Sequence, residues 1–72
     1  MSICDLKIGD QAIISNIEGN EKLTKRLLSL GCIEGTSIKL KRKAPLGDPL
    51  IITFRGFDIA LRKKDAKKIY IQ

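Results

Sequence analysis

Few side chains in this sequence could do chemistry, and their spacing is poor for it. There is no histidine, and the two cysteines, Cys4 and Cys32, stand far apart without a CxxC pair, so no common zinc spacing is available. Asp48 and Asp58 could in principle pair as acid and base, but Asp48 lies in a turn, where its oxygens are expected to bond local backbone. No P-loop glycine motif occurs, and no nucleophile has an obvious base at hand. The expectation is a protein without catalytic residues, cofactor or metal site. Both thiols are expected to be reduced and structural.

Charge carries more information. The net charge is +6, and it is unevenly placed: residues 1–38 hold four basic against five acidic side chains, residues 39–72 ten against three. The second half, from Lys39, Lys41 and Lys43 through Arg55 and Arg62 to Lys67 and Lys68, is therefore a basic band. It suits an acidic protein, an anionic membrane or nucleic acid, or it is simply a solvated face. Barrels that read nucleic acid interleave such charges with aromatics, and here only Tyr70 is expected to be an exposed one. Nucleic acid is accordingly the lesser alternative.

These residues must be positioned by a single small domain, 1–72, since a chain of this size buries only about 60% of its unfolded surface. Its core must come from Ile and Leu, with Phe54 and Phe57 as the largest pieces. No apolar run approaches the ~20 residues that span a bilayer, and the N-terminus lacks a signal-peptide pattern, so a cytoplasmic location is expected. After a Gly9-Asp10 turn, Gln11 to Ile17 reads as a strand whose inward face is either Ala12/Ile14 or Ile13/Ile17. Leu23, Leu27 and Leu30 then recur at helical spacing between an Asn20 N-cap and a Gly31 C-terminal stop.

A turn at Ile33 to Thr36 leads into strict alternation, with Ile38 and Leu40 inward and lysines outward. Leu50, Ile52 and Phe54 form the next inward row, Arg55-Gly56 a hairpin turn, and Phe57, Ile59 and Leu61 a third row. One turn of helix in KKDAK precedes a last strand that buries Ile69 and Ile71. Sheets this short protect their edges by curling closed. The expected fold is mainly β: a small SH3-like barrel of about five strands, with a short amphipathic helix after the first strand and a one-turn helix before the last. An OB-like barrel is the alternative.

The phrases LLSLGCIEGTSI and KRKAPLGDPLIITFRGFDIALRKKDAKKIYI resemble the FeoA family (ferrous iron transport protein A). The match rests on Arg26-Leu27, Leu30-Gly31, Gly35, the six residues APLGDP at 44–49, and Ile59 to Arg62, and spans about Leu6 to Ile71. It implies an SH3-like, non-catalytic module that supports ferrous iron uptake through contact with the cytosolic domain of a FeoB permease, meeting the membrane only through that permease. A second copy of the chain is the other protein partner to consider. The same module ends metal-dependent transcription repressors, but these 72 residues leave no room for a DNA-binding domain, so the stand-alone reading is preferred. Iron binding by the chain itself is not expected, because ferrous iron is commonly held by imidazole and carboxylate.

The candidate partner surface comprises Arg26 and Leu28 on the helix, Lys41 and Lys43 on the lysine strand, and Pro45, Leu46, Gly47, Asp48 and Pro49 in the loop. Arg26 could fork onto a carboxylate of a partner or of this chain, or lie along the core. Two prolines and a turn glycine leave the loop little entropy to lose on binding. Leu46 is either a docking hook at its tip or an anchor folded back on the barrel.

Overall fold

The structure is a computed structural model that describes residues 1–19 and 21–72. After a 3-10 turn at Ile3–Asp5, the elements run β1 (Gln11–Ile17), α1 (Glu21–Ser29), β2 (Ser37–Lys43), β3 (Leu50–Phe54), β4 (Phe57–Leu61), α2 (Lys63–Ala66) and β5 (Ile69–Ile71). The five strands form one antiparallel sheet in the order β4-β3-β2-β1-β5. This is the expected mainly-β architecture, with both helices where the sequence puts them. Asn20, the expected N-cap of α1, lies outside the described residues.

β1 is where the sheet turns. Gln11 to Ile13 pair with β2, whereas Ile14 to Ile17 pair with β5, and the register shifts between Ile14 and Asn16. That irregularity settles which face is inward. Ile14 is fully buried and Ile17 half-buried, three positions apart instead of two, while Ile13 stays exposed. β2 carries a similar shift between Leu40 and Arg42, with Lys41 the extra residue.

The core is aliphatic, as the composition requires. Ile14, Ile38, Leu40, Ile52, Leu61 and Ile69 from the strands meet Leu23 and Leu27 from α1, with Ile3 and Leu6 closing the N-terminal end. Each such side chain contributes about 1.5–3 kcal/mol when fully buried. Phe54 is buried, but Phe57 is 58% exposed. Phe57 does lie opposite Phe54 in register, on the inward face, yet it is the first residue of an edge strand, beside the hairpin turn, beyond the point where the core fills.

Leu30 also departs from expectation, at 38% exposed. The helix ends at Ser29, and Gly31, at φ 82°, reverses the chain. The Gly31 amide donates to the Leu28 carbonyl at 3.0 Å and the Cys32 amide to the Leu27 carbonyl at 2.8 Å, a Schellman arrangement. The reversal puts Cys32, not Leu30, into the core.

Candidate functional site

The β2–β3 loop is closed by its own backbone. The Ala44 amide donates to the Pro49 carbonyl at 3.0 Å, and the Gly47 amide to the Ala44 carbonyl at 2.7 Å. Gly47 takes φ 80°, the left-handed geometry that this reversal needs and that Gly adopts without penalty. The Asp48–Pro49 peptide is cis. Leu46 is 93% exposed at the tip and does not fold back on the barrel.

Asp48 behaves differently from the sequence expectation. Its carboxylate satisfies no amide of its own turn; Oδ1 accepts a hydrogen bond from the Lys63 amide at 3.0 Å, at the start of α2. The physical reason lies in α2. The first amides of a helix need acceptors, and the residue in the N-cap position, Arg62, makes no side-chain cap. The loop supplies the missing acceptor and is thereby tied to the barrel. Asp48→Ala is expected to cost about 1 kcal/mol and lower the melting temperature by roughly 4–8 °C, while Asp48→Asn, which keeps an acceptor, loses less. Thermal melts followed by circular dichroism check this; equal losses in the two variants would contradict the cap.

Arg26 also makes an internal bond. Its Nη2 donates to the Ala60 carbonyl at 3.3 Å, tying α1 to the edge strand β4. The acceptor is thus a backbone carbonyl of this chain, not a carboxylate. Around that contact, Arg26, Asp48, Pro49, Ala60 and Arg62 line a shallow groove of about 460 Å³. On the other side of the loop, Arg42, Lys43, Ala44, Pro45, Pro49 and Ile51 line a second of about 290 Å³. The loop is a ridge between two grooves, with Pro49 in both walls and Leu46 exposed at its tip. Arg26, Asp48 and Pro49 thus line one groove and Lys43, Pro45 and Pro49 the other, while Leu46 and Gly47 line neither.

Lys41 and Leu28 stand outside this cluster. Lys41, at the irregularity in β2, forms an exposed ion pair with Asp58. The hydrogen bond from Lys41, helped by one from Thr53, holds the Asp58 carboxyl below its ordinary value. Leu28 lines a separate cleft with Ile17, Thr24, Cys32, Ile33 and Glu34. Sequence reasoning missed Arg42, Ala60 and the Lys63 amide. An exposed Ala in an edge strand gives no signal, but the missing side-chain acceptor ahead of α2 was visible in the sequence.

Both cysteines are free. The Cys4 thiol donates to the Lys63 carbonyl at 3.5 Å. Burial pushes the Cys32 thiol pKa up, opposed by Arg55, whose guanidinium lies over Gly31 at the end of α1. Among the described residues, no three His, Cys, Asp or Glu side chains are grouped to hold a metal ion. None of the described helices is long and apolar enough to cross a membrane. Tyr70 is half-buried, and a hydrogen bond to the Glu18 carboxylate raises its pKa, so the well-exposed aromatic ring is that of Phe57.

Several known proteins are similar to this chain in sequence or in fold. A Porphyromonas gingivalis fusion of Fe(2+) transport protein A with the Fe(2+) transporter FeoB is 36% identical over 72 residues; the match covers all of this chain and 8% of the fusion protein's length. The solution structure of FeoA from Chlorobium tepidum superposes with a TM-score of 0.94 at 32% identity, covering 100% of this chain and 69% of that one. The zinc complex of Stenotrophomonas maltophilia FeoA, described as a prokaryotic SH3 domain protein, gives 0.85 at 25% identity, covering 100% and 89%. The metal-dependent transcriptional regulator MtsR, at 14% identity and a TM-score of 0.83 over 99% of this chain and 35% of its own, speaks to the fold alone. The FeoA domain family matches residues 1–72, and the chain belongs to that family.

Proposed function

We propose that this chain is a non-catalytic accessory module of bacterial ferrous iron transport, acting in the cytoplasm by docking on the cytosolic domain of a FeoB-type permease. The observation that carries this reading is the fusion protein, in which a domain 36% identical to this one shares a polypeptide with FeoB. A covalent link holds two modules at roughly millimolar effective concentration, which is useful when their contact matters.

The docking surface is the loop ridge with the groove beside it. An exposed leucine on a loop closed by its own backbone and fastened to α2 by Asp48 sits on a backbone that is already restrained, which reduces the ordering that binding must impose. Arg26 and Lys43 flank the ridge and supply charge at the rim. Docking acts on the permease by binding its conformations or assembly states unequally, since only differential affinity shifts an equilibrium. Uptake of labelled ferrous iron in cells deleted for this chain tests the reading. Uptake changes on deletion and returns to its original level with the wild-type chain but not with Leu46→Asp; unchanged uptake in the deletion strain would overturn it.

A further inference from the structure

The groove beside the loop does not end at Arg26 and Arg62. The same two arginines also line a second, polar cleft of about 320 Å³ with Lys22, Leu23, Lys64 and Asp65. The two grooves share the arginine pair and together are termed the trough, with Lys22 and Lys64 in one part and Asp48 and Pro49 in the other. We propose that this trough is a docking site for an extended acidic segment of a partner protein.

Four cations, Lys22, Arg26, Arg62 and Lys64, face two carboxylates in the trough, Asp48 and Asp65. One oxygen of Asp48 is already engaged by the Lys63 amide. Lys22 and Arg26 stand four apart on α1, and like charges at that spacing weaken a helix. The trough carries more cations than carboxylates, and an anionic occupant is complementary to that excess.

Shape and chemistry select the occupant. Guanidinium groups pair bidentately with carboxylates, and the trough holds two of them at its centre. Pro49 and Ala60 give the stem of an acidic side chain an apolar wall to lie against. No aromatic ring lines either groove among the described residues, so bases would find nothing to stack on. An open trough also fits an extended chain better than a lone small anion. The site shares its loop-side groove with the surface proposed for permease docking and deepens that reading, but binding of an acidic segment is tested without the permease.

Fluorescence anisotropy with a labelled peptide of alternating Glu and Gly tests it. The wild-type chain is expected to bind saturably at low salt, and affinity to fall about tenfold in Arg62→Glu/Lys64→Glu. Lys7→Glu/Lys39→Glu carries the same net charge at positions that line neither groove and is expected to change affinity less than about twofold. Circular dichroism confirms that both variants fold, and Lys22→Glu replaces the trough variant if that one does not. Equal losses in the two double variants, or no saturable binding by wild type, overturn the proposal. So does displacement of the peptide by an equimolar oligothymidylate at about 150 mM salt, which would identify a nucleic-acid surface instead.

Discussion

Leu27→Ala is expected to lower the melting temperature by roughly 10–20 °C, the largest effect of any single truncation considered. Leu27 is completely buried, and it joins α1 to the sheet. Removing three carbons from such a site costs about 2–5 kcal/mol, because the transfer free energy is lost and a cavity remains. Domains of this kind are stable by only about 0.05–0.15 kcal/mol per residue, so the loss is a large share of the total. A small barrel also has little second-layer packing that could collapse into the gap. The same truncation at Leu28, which is 61% exposed, should cost less than about 0.5 kcal/mol. Paired denaturation curves check the contrast. Similar midpoints for the two variants would mean that α1 does not pack through the Leu23/Leu27 face.

Leu46→Asp is expected to do the reverse: leave stability within about 0.5 kcal/mol of wild type while weakening partner binding by about 2 kcal/mol, roughly thirtyfold in Kd. The first half follows from exposure, since 93% of the residue already faces water and folding gains almost nothing from it. The second half follows from the docking proposal. A rigidly presented apolar side chain that becomes desolvated at the centre of an interface is the kind of residue that dominates binding energy. A carboxylate in its place would have to be buried without a partner. If the variant unfolds, the loop is a structural anchor; if it folds and binds unchanged, the interface lies elsewhere.

Much of the fold was legible in the sequence because local pattern and tertiary structure agree. The alternation in β2, the Arg55-Gly56 hairpin and the Gly31 stop all encode geometry within a few residues of themselves. Most of the departures depend on residues distant in sequence, Leu30 being a local exception. Nothing near Asn16 or Lys41 announces that the register of its strand slips there, because a bulge is set by what the partner strand must match. Leu30 fits the helical period, but the chain reverses just after it. Phe57 sits on the predicted face and is exposed because β4 runs to the end of the barrel.

The candidate site divides in the same way. Loop stiffness could be read from Pro45, Gly47 and Pro49, whereas the bond from the Lys63 amide to Asp48 spans 15 residues and required the fold. Arg26 was recognisable as a residue at the edge of the helix face. Its acceptor, the Ala60 carbonyl, is 34 residues away, and nothing in either local sequence names it. The separation of Leu28 and Lys41 from the loop is likewise a result of topology. Composition alone made all of these residues look like one surface.

Isothermal titration of the full-length chain into the purified cytosolic domain of the FeoB-type permease from the same organism tests the central claim most directly. The account predicts saturable binding by the wild-type chain, binding weakened about thirtyfold by Leu46→Asp, and no comparable change in Lys39→Glu, a residue that pairs with Gln11 and Thr53 toward the end of β2 away from the loop. Folded wild-type protein that gives no binding, or a Leu46→Asp variant that binds as tightly as wild type, would contradict it.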